Sequence, residues 1–179
     1  MKLPIEIQKV KEHKSIKSQL LKIINSYDNL TSKRSIIDQT FSENISKTDY
    51  NLEDESKEYK NIIISNIVPY TYKQSYISQT IDNIWFQQYQ KGDTHGWHIH
   101  PNCHYSHIYF LDLPIRKYST EFFYDNKIHK VDVKEGDLIS FSSTIIHRSP
   151  IIEEDTRKII VSFNTSFQDI DIDYINKHI

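Results

Sequence analysis

Histidines are the residues of this 179-residue chain whose number and spacing most directly suggest chemistry. The chain has nine, and the thirteen residues from His95 to His107, HGWHIHPNCHYSH, contain five of them. Residues i and i+2 of a β-strand point to the same face, so His98 and His100 can direct two imidazoles at one point. The segment therefore predicts a chelating pair, with Ile99 facing away.

A third ligand must come from elsewhere, and the best candidate is His147, near the end of GDLISFSSTIIHRSP. An acidic-glycine turn starts an apolar strand there, and the strand delivers a single histidine at its far end. Imidazole binds iron, zinc, copper and nickel, so the ligand type alone does not select the metal. We predict a mononuclear metal site formed by His98, His100 and His147. If the second of these does not bind, the next candidate ligands are His95, His104 and Asp93.

A basic residue ten positions after His147 suggests an anion. Arg157 opens the apolar run RKIIVSFN, and a buried guanidinium needs an anionic partner such as a carboxylate. Strand alternation places Ile159, Val161 and Phe163 on the same face as Arg157, so we expect this arginine to face inward. The alternative is an arginine at the strand end that points to solvent, beside the acidic residues that precede it.

Aromatic residues near these histidines are candidates for the wall of a pocket. They are Trp85, Trp97, Tyr105 and Tyr109. Aromatic side chains on strands also commonly belong to the core, and the sequence leaves both interpretations open.

The elements that must position these residues are mainly strands. After residue 80, six short β-runs are separated by turn signals such as KGD, YDNK and EGD, a pattern typical of a sandwich or jelly roll. Residues 3–10 alternate like a strand, 14–27 have helical spacing, and a second short helix is expected between 53 and 68. The polar segment 28–54 is predicted to form loops.

Length and composition limit the organisation of the chain. We expect a single domain over residues 1–179, with a mainly β (α+β) jelly-roll core at 80–168. Residues 1–79 would supply the N-terminal strand and the helices that pack on that core. The net charge is −2 and no basic run is present, so nucleic acid is not indicated as a partner. Whether the protein is a homodimer stays open.

The location is predicted from what the sequence lacks. The charged N-terminus does not have the apolar stretch of a signal peptide, and no apolar segment is long enough for a membrane helix. Cys103 is the only cysteine and cannot form an internal disulfide, which fits a reducing compartment. We therefore expect a cytoplasmic protein.

The segments WFQQYQKGDTHGWHIHPNCHYSHIYFLDLP, GDLISFSSTIIHRSP and RKIIVSFN together resemble the 2-oxoglutarate- and Fe(II)-dependent oxygenases. They are most similar to oxygenases with an H-x-H-P segment that are common in marine bacteria and their phages, where a phage-encoded member would act in the host cytoplasm. The resemblance covers residues 84–164 well. It implies a double-stranded β-helix fold, Fe(II) and 2-oxoglutarate as cofactors, and oxidation of an unknown substrate by dioxygen, coupled to oxidative decarboxylation of 2-oxoglutarate.

The resemblance also implies roles for individual residues. His98 matches the first metal ligand and His147 the distal one, while His100 stands where the family usually has Asp or Glu. Arg157 matches the basic residue that binds the distal carboxylate of 2-oxoglutarate. Tyr89 matches a tyrosine that commonly hydrogen-bonds the same carboxylate in the prolyl-hydroxylase branch.

Two alternatives remain open. Gly92 followed five residues later by His98 and His100 fits the opening of the cupin motif G-x5-H-x-H, and a three-histidine cupin dioxygenase needs no 2-oxoglutarate. The glutamate expected a few residues later in that motif is absent. The other alternative is a non-catalytic jelly-roll module in which the histidines hold a structural metal, which usually takes four protein ligands.

Overall fold

The computed structural model describes residues 3–27, 32–34, 43–50 and 57–179, and these contain three α-helices and twelve strands. The helices are α1 (His13–Ser26), α2 (Lys57–Asn66) and α3 (Ile172–Asn176). The strands are β1 (Ile5–Lys9), β2 (Ser32–Arg34), β3 (Glu43–Ile45), β4 (Lys47–Thr48), β5 (Tyr76–Tyr89), β6 (Thr94–His98), β7 (Tyr105–Asp112), β8 (Glu121–Tyr124), β9 (Lys127–Lys130), β10 (Asp137–Ser142), β11 (Ile146–Ser149) and β12 (Lys158–Ile170). Short 3-10 turns span Val68–Thr71 and Arg116–Tyr118.

The strands form two antiparallel sheets of six strands each. The first sheet has the order β1-β10-β7-β12-β5-β4, and the second has the order β2-β3-β6-β11-β8-β9. From β10 to β12 the chain passes from the first sheet to the second and back again, as the strands of a jelly roll do. The predicted mainly β jelly-roll architecture is therefore confirmed.

Helices cover the outer face of the first sheet. Ile16, Leu20 and Ile24 of α1 recur at helical spacing and are buried, because they pack with Tyr59 and Ile63 of α2. Their partners on the sheet are Phe86, Tyr109, Leu111, Ile159, Val161 and Phe163. The predictions of a strand at 3–10 and of two helices are confirmed, with bounds shifted by a few residues.

A second hydrophobic cluster lies between the two sheets. It contains Tyr89, Ile108, Phe110, Phe122, Ile139, Phe141 and Ile160. Along β12, Ile160 belongs to this inner cluster, whereas its neighbours Ile159 and Val161 belong to the cluster under the helices. Both faces of β12 are therefore buried, each against a different layer.

The predicted turns join the strands. Asp125 and Asn126 both have positive φ (52° and 59°), as a tight two-residue hairpin requires, and they link β8 to β9. Gly136 has φ 87°, and a Cβ there would lie 2.9 Å from Cγ of His13, so only glycine fits this turn.

The single strand predicted to deliver His147 is in fact two strands. β10 ends at Ser142 in the first sheet, and β11 begins at Ile146 in the second. A turn closed by a hydrogen bond from the Ile145 N–H to the Ser142 carbonyl separates them. This change of sheet carries His147 across to the strand that holds His98.

The N-terminal third contributes strands as well as helices. β1 and β4 form the two edges of the first sheet, and β2 and β3 form one edge of the second. Where loops were predicted at 28–54, the described parts contain these short strands, and the rest of that segment lies outside the described residues. Two predictions on the organisation of the chain stay predictions: a single domain over residues 1–179, and a division of it at residues 79–80 into N-terminal supporting elements and the jelly-roll core. No helix in the described part of the chain is long and apolar enough to cross a membrane.

Candidate metal centre and its pocket

Three histidines come together between the ends of β6 and β11. His98 lies directly opposite His147 in the antiparallel pair, and their ring centroids are 4.2 Å apart. His100 follows β6, where its backbone N–H donates to the Ser143 carbonyl at 3.1 Å. One ligand atom from each of the three rings lies within 4.8 Å of the others, so they can share one metal ion.

Backbone carbonyls orient two of these rings. Nδ1–H of His98 donates to the Gly96 carbonyl at 2.7 Å, and Nδ1–H of His147 donates to the Ile145 carbonyl at 3.0 Å. The proton then sits on Nδ1, so the Nε2 lone pair of each ring is available to a metal. Nε2 of His100 lies 3.2 Å from Nε2 of His147.

Burial keeps these imidazoles neutral. It lowers the pKa of His98, lowers that of His147 well below its usual value, and lowers the pKa of His100 to about 3, with a further contribution from His98. Metal ligands must be deprotonated, and imidazoles that are already neutral meet this condition without releasing protons. The donor set therefore fits a divalent ion.

A polar pocket extends from the histidines into the space between the sheets. Its lining includes Gln87, Tyr89, Ser106, Thr120, Ser149, Ser162 and Asn164. Among the described residues that line it, none is an aspartate or a glutamate. A bound anion would therefore meet no carboxylate along this wall.

Lys158 supplies a cation directly behind the pocket wall, where it contacts the lining residues Tyr89 and Ser149. It is 1% exposed, and its Nζ donates to the Tyr118 carbonyl at 2.9 Å and to Ser149 Oγ at 2.6 Å. Burial lowers the pKa of Lys158 to about 7, although nearby Glu121 acts in the opposite direction. An ammonium buried among neutral oxygens is a ready partner for an anion.

Tyr89 is the cross-strand neighbour of Lys158 and lies at the same place. The Lys158 Nζ is 4.7 Å from the centre of the Tyr89 ring. The Tyr89 hydroxyl is fully buried and makes no hydrogen bond of normal geometry with any described residue, although Ser149 is near enough to influence its pKa, which burial raises. An unsatisfied hydroxyl beside a buried lysine indicates that a polar ligand completes this end of the pocket.

Arg157, predicted to face inward, lies on the other side of β12. Its Nε and one terminal nitrogen donate to Asp112 Oδ2 at 3.0 and 2.8 Å, and 38% of its side chain is exposed. The prediction treated the apolar face of the strand as the pocket face, but that face packs under the helices. Lys158, one position later, is the buried basic residue on the pocket side of β12, where it contacts the lining residues Tyr89 and Ser149. A sequence signal for Lys158 does exist. Ser162 and Asn164 alternate with apolar residues, and they lie an even number of positions after Lys158, so the three polar residues share one face of β12.

Of the four aromatic residues predicted to line the pocket, Trp85 does so, with its ring centroid 5.4 Å from that of His100. The other three do not line it. Trp97 lies under a guanidinium of β11, and Tyr105 packs against a phenylalanine of β12. Tyr109 faces the helices, where its hydroxyl is 2.6 Å from Nδ1 of a histidine in α1.

The alternative ligands behave differently from one another. Nδ1 of His104 accepts the backbone N–H of Phe167 at 2.9 Å. Asp93 accepts the backbone N–H of Gln90 in its own turn and that of Ser46 between β3 and β4, so both residues stabilise loops. His95 lies at the site and its ring stacks on that of His98, with centroids 3.8 Å apart. Burial lowers the pKa of His95 to about 2.

Comparisons with known proteins identify the fold. No family model matches the sequence, and no curated protein matches it. Solved structures do match. A viral collagen prolyl hydroxylase from Paramecium bursaria Chlorella virus 1, in complex with 2-oxoglutarate, has a TM-score of 0.60 at 12% identity, over 90% of this chain and 94% of that one.

Two further structures are similar over most of their length. A 2OG-Fe(II) oxygenase family oxidoreductase from Burkholderia pseudomallei has a TM-score of 0.64 at 10% identity, over 90% of this chain and 85% of that one. HygX from Streptomyces hygroscopicus, with nickel and 2-oxoglutarate bound, has a TM-score of 0.60 at 8% identity, over 92% and 83%. The chain has a double-stranded β-helix fold. At these identities the likeness shows the fold, and function must be argued from the site.

Proposed function

We propose that this protein is a 2-oxoglutarate- and Fe(II)-dependent oxygenase that couples oxidative decarboxylation of 2-oxoglutarate to oxidation of a substrate. The observation that carries the proposal is a single pocket with two ends. A three-histidine cluster lies at one end, and Tyr89 lies at the other, with the buried Lys158 behind it. The solved structures of similar fold that carry 2-oxoglutarate support it.

His98, His100 and His147 would hold the iron. Because the group of metal-ligating side chains found among the described residues has three members, coordination positions stay open for a 2-oxo acid and dioxygen. When bound, Fe(II) with 2-oxoglutarate supplies the activation of dioxygen that oxidises the substrate. A group of three protein ligands also argues against a purely structural metal, which usually has four.

Lys158 and Tyr89 would bind the distal carboxylate of 2-oxoglutarate. The ammonium of Lys158 can donate a charge-assisted hydrogen bond, and the Tyr89 hydroxyl can donate a second one to the same carboxylate. The described lining of the pocket contains no aspartate or glutamate that would repel the bound dicarboxylate. Trp85 and Gln87 line both this pocket and the cleft that leads to it, where a small molecule or a macromolecule would present the carbon to be oxidised.

One observation favours a second candidate function. All three ligands are neutral imidazoles, as in a cupin-type three-histidine dioxygenase that uses no 2-oxoglutarate. This candidate leaves the Lys158–Tyr89 end of the pocket without a role, because no 2-oxo acid would bind there. We therefore rank it second.

The experiment combines binding with turnover. Anaerobic calorimetry of Co(II)-loaded protein with 2-oxoglutarate should give saturable binding, and Fe(II), ascorbate and dioxygen should yield succinate from 2-oxoglutarate. The control variant His147→Ala should lose metal affinity by about 100-fold or more, and succinate formation with it. Metal-loaded wild-type protein that shows no affinity for 2-oxoglutarate would contradict the proposal, and oxygen consumption without 2-oxoglutarate would favour the second candidate.

A further inference from the structure

A β-bulge in β6 brings a fourth histidine to the site. His98 pairs with His147 and His95 with Ser149, so three steps along β6 face two steps along β11. In a regular strand, residues three apart point to opposite faces. The extra residue of the bulge cancels this alternation. The rings of His95 and His98 therefore stack, with centroids 3.8 Å apart and planes at 14°.

Gln87 determines which nitrogen of His95 carries the proton. The Gln87 side-chain N–H donates to Nδ1 of His95 at 3.2 Å. Because Nδ1 accepts, the neutral ring carries its proton on Nε2. Within the part of the chain that the structure describes, no hydrogen bond from this Nε2–H is found, so the donor is available to a ligand.

His95 lies where a ligand of the metal would pass. It lines the inner pocket together with the three-histidine cluster, and it also lines the cleft between that pocket and the surface. The aromatic wall of the cleft is formed by Tyr50 and Trp85, with ring centroids 5.3 Å apart. Glu43, the cross-strand partner of His95, lines the cleft, whereas the described lining of the inner pocket holds no carboxylate. A donor at this junction is therefore suited to an anionic oxygen on the pocket side.

We propose that His95 is an additional ligand-binding residue whose Nε2–H donates to a carboxylate oxygen of the 2-oxo acid held at the metal. Gln87 acts as a positioning residue, since it fixes the tautomer that makes His95 a donor. The inference rests on the proposed function, because it needs a 2-oxo acid in the pocket. A hydrogen bond to a charged group of this kind contributes about 10- to 100-fold to affinity.

Two variants separate the hydrogen-bond donor of His95 from the stacking of its ring on His98. His95→Phe keeps an aromatic ring against His98 but has no N–H, and His95→Gln keeps a donor but has no ring. Each is loaded with Co(II), whose visible absorption reports metal affinity, and is titrated with 2-oxoglutarate by anaerobic calorimetry. We expect His95→Phe to weaken 2-oxoglutarate binding about 10- to 100-fold, with metal affinity within about 3-fold of wild type. His95→Gln should recover part of the loss.

Gln87→Leu leaves every histidine in place and serves as an independent variant if His95→Phe does not fold. Without the amide the tautomer of His95 is no longer fixed, so we expect a smaller loss of 2-oxoglutarate affinity, about 3- to 10-fold.

Unchanged 2-oxoglutarate affinity in these variants would overturn this inference and leave the proposed function intact. Equal losses of metal and 2-oxoglutarate affinity would also overturn it, because His95 would then only support His98. Wild-type protein that binds no 2-oxoglutarate would overturn the proposed function as well.

Discussion

Two consecutive basic residues at the start of β12 have opposite surroundings. Arg157 faces outward, is partly exposed and pairs with Asp112, which also accepts from Lys17 at 3.0 Å. Lys158 faces inward, is fully buried, donates to a backbone carbonyl and a serine hydroxyl, and lies over the ring of Tyr89. The outer residue has its counter-ion within the chain, so its role is complete without a ligand.

The difference is informative because burying a charge without a counter-ion costs stability. Such a group persists where a ligand uses it, whereas an arginine that is already paired with a carboxylate has little left to offer an incoming anion. The face of β12 with the unpaired cation is therefore the face of the proposed site.

Replacing each basic residue by methionine gives a matched pair. Lys158→Met should weaken 2-oxoglutarate binding by about 100-fold, because a charge-assisted hydrogen bond in a buried pocket is lost. Arg157→Met should change it by less than about 3-fold and lower the free energy of unfolding by about 1 kcal/mol or less, as expected for a partly exposed ion pair. Calorimetry and urea unfolding measure the two quantities. Similar losses of affinity in both variants would remove the contrast.

The lowered pKa of Lys158, about 7, predicts a pH dependence. In the unfolded chain the lysine stays protonated up to its usual pKa, so between about pH 7 and 10.5 the unfolded state binds more protons and stability rises with pH. The full cost of the buried charge is present below pH 7.

The same shift couples 2-oxoglutarate binding to protons. A bound carboxylate favours charged Lys158, so above pH 7 binding takes up a proton and affinity falls, approaching tenfold per pH unit. Calorimetry at pH 8 in two buffers of different ionisation enthalpy should show uptake of about one proton, and Lys158→Met should show none. A pH-independent affinity between 6.5 and 8.5 would argue against Lys158 as the carboxylate partner.

Tyr89→Phe tests the unsatisfied hydroxyl at the inner end of the pocket. We expect 2-oxoglutarate affinity to fall about 5- to 10-fold because one donor is lost. The free energy of unfolding should stay the same or rise by up to about 1 kcal/mol, since a buried hydroxyl without a hydrogen bond is removed. A large loss of stability would mean that the hydroxyl already has a structural partner.

Tyr109→Phe is the matched variant on the helix-covered face. Its hydroxyl is 2.6 Å from Nδ1 of His13, so removing it should lower the free energy of unfolding by about 1 kcal/mol. Metal and 2-oxoglutarate affinity should be unchanged. If this variant weakened 2-oxoglutarate binding as much as Tyr89→Phe does, the two faces of the sheet would not be functionally separate.

The sequence predicted most of the strands and the histidines well, because both predictions depend on local pattern. Alternating residues identify strands, and the H-x-H spacing is that of two strand residues on one face, although β6 ends at His98 and the hydrogen bond to the Ser143 carbonyl places His100. The prediction that Arg157 faces inward was wrong for a physical reason. Alternation divides the residues of β12 into two faces but does not say which buried face meets helices and which meets the pocket, and here the more apolar face packs under α1 and α2.

What the sequence by itself determined is therefore the jelly-roll fold, the H-x-H pair and the single histidine that could join it, since each follows from residue type and short spacing. The tertiary structure decided which residues meet. The change of sheet between β10 and β11 places His147 opposite His98, and the phase of β12 makes Lys158 the buried cation. The bulge in β6 brings His95 to the same face as His98, against the parity of a regular strand. These contacts join residues on different strands or across a break in regular alternation, and local pattern carries no information about either.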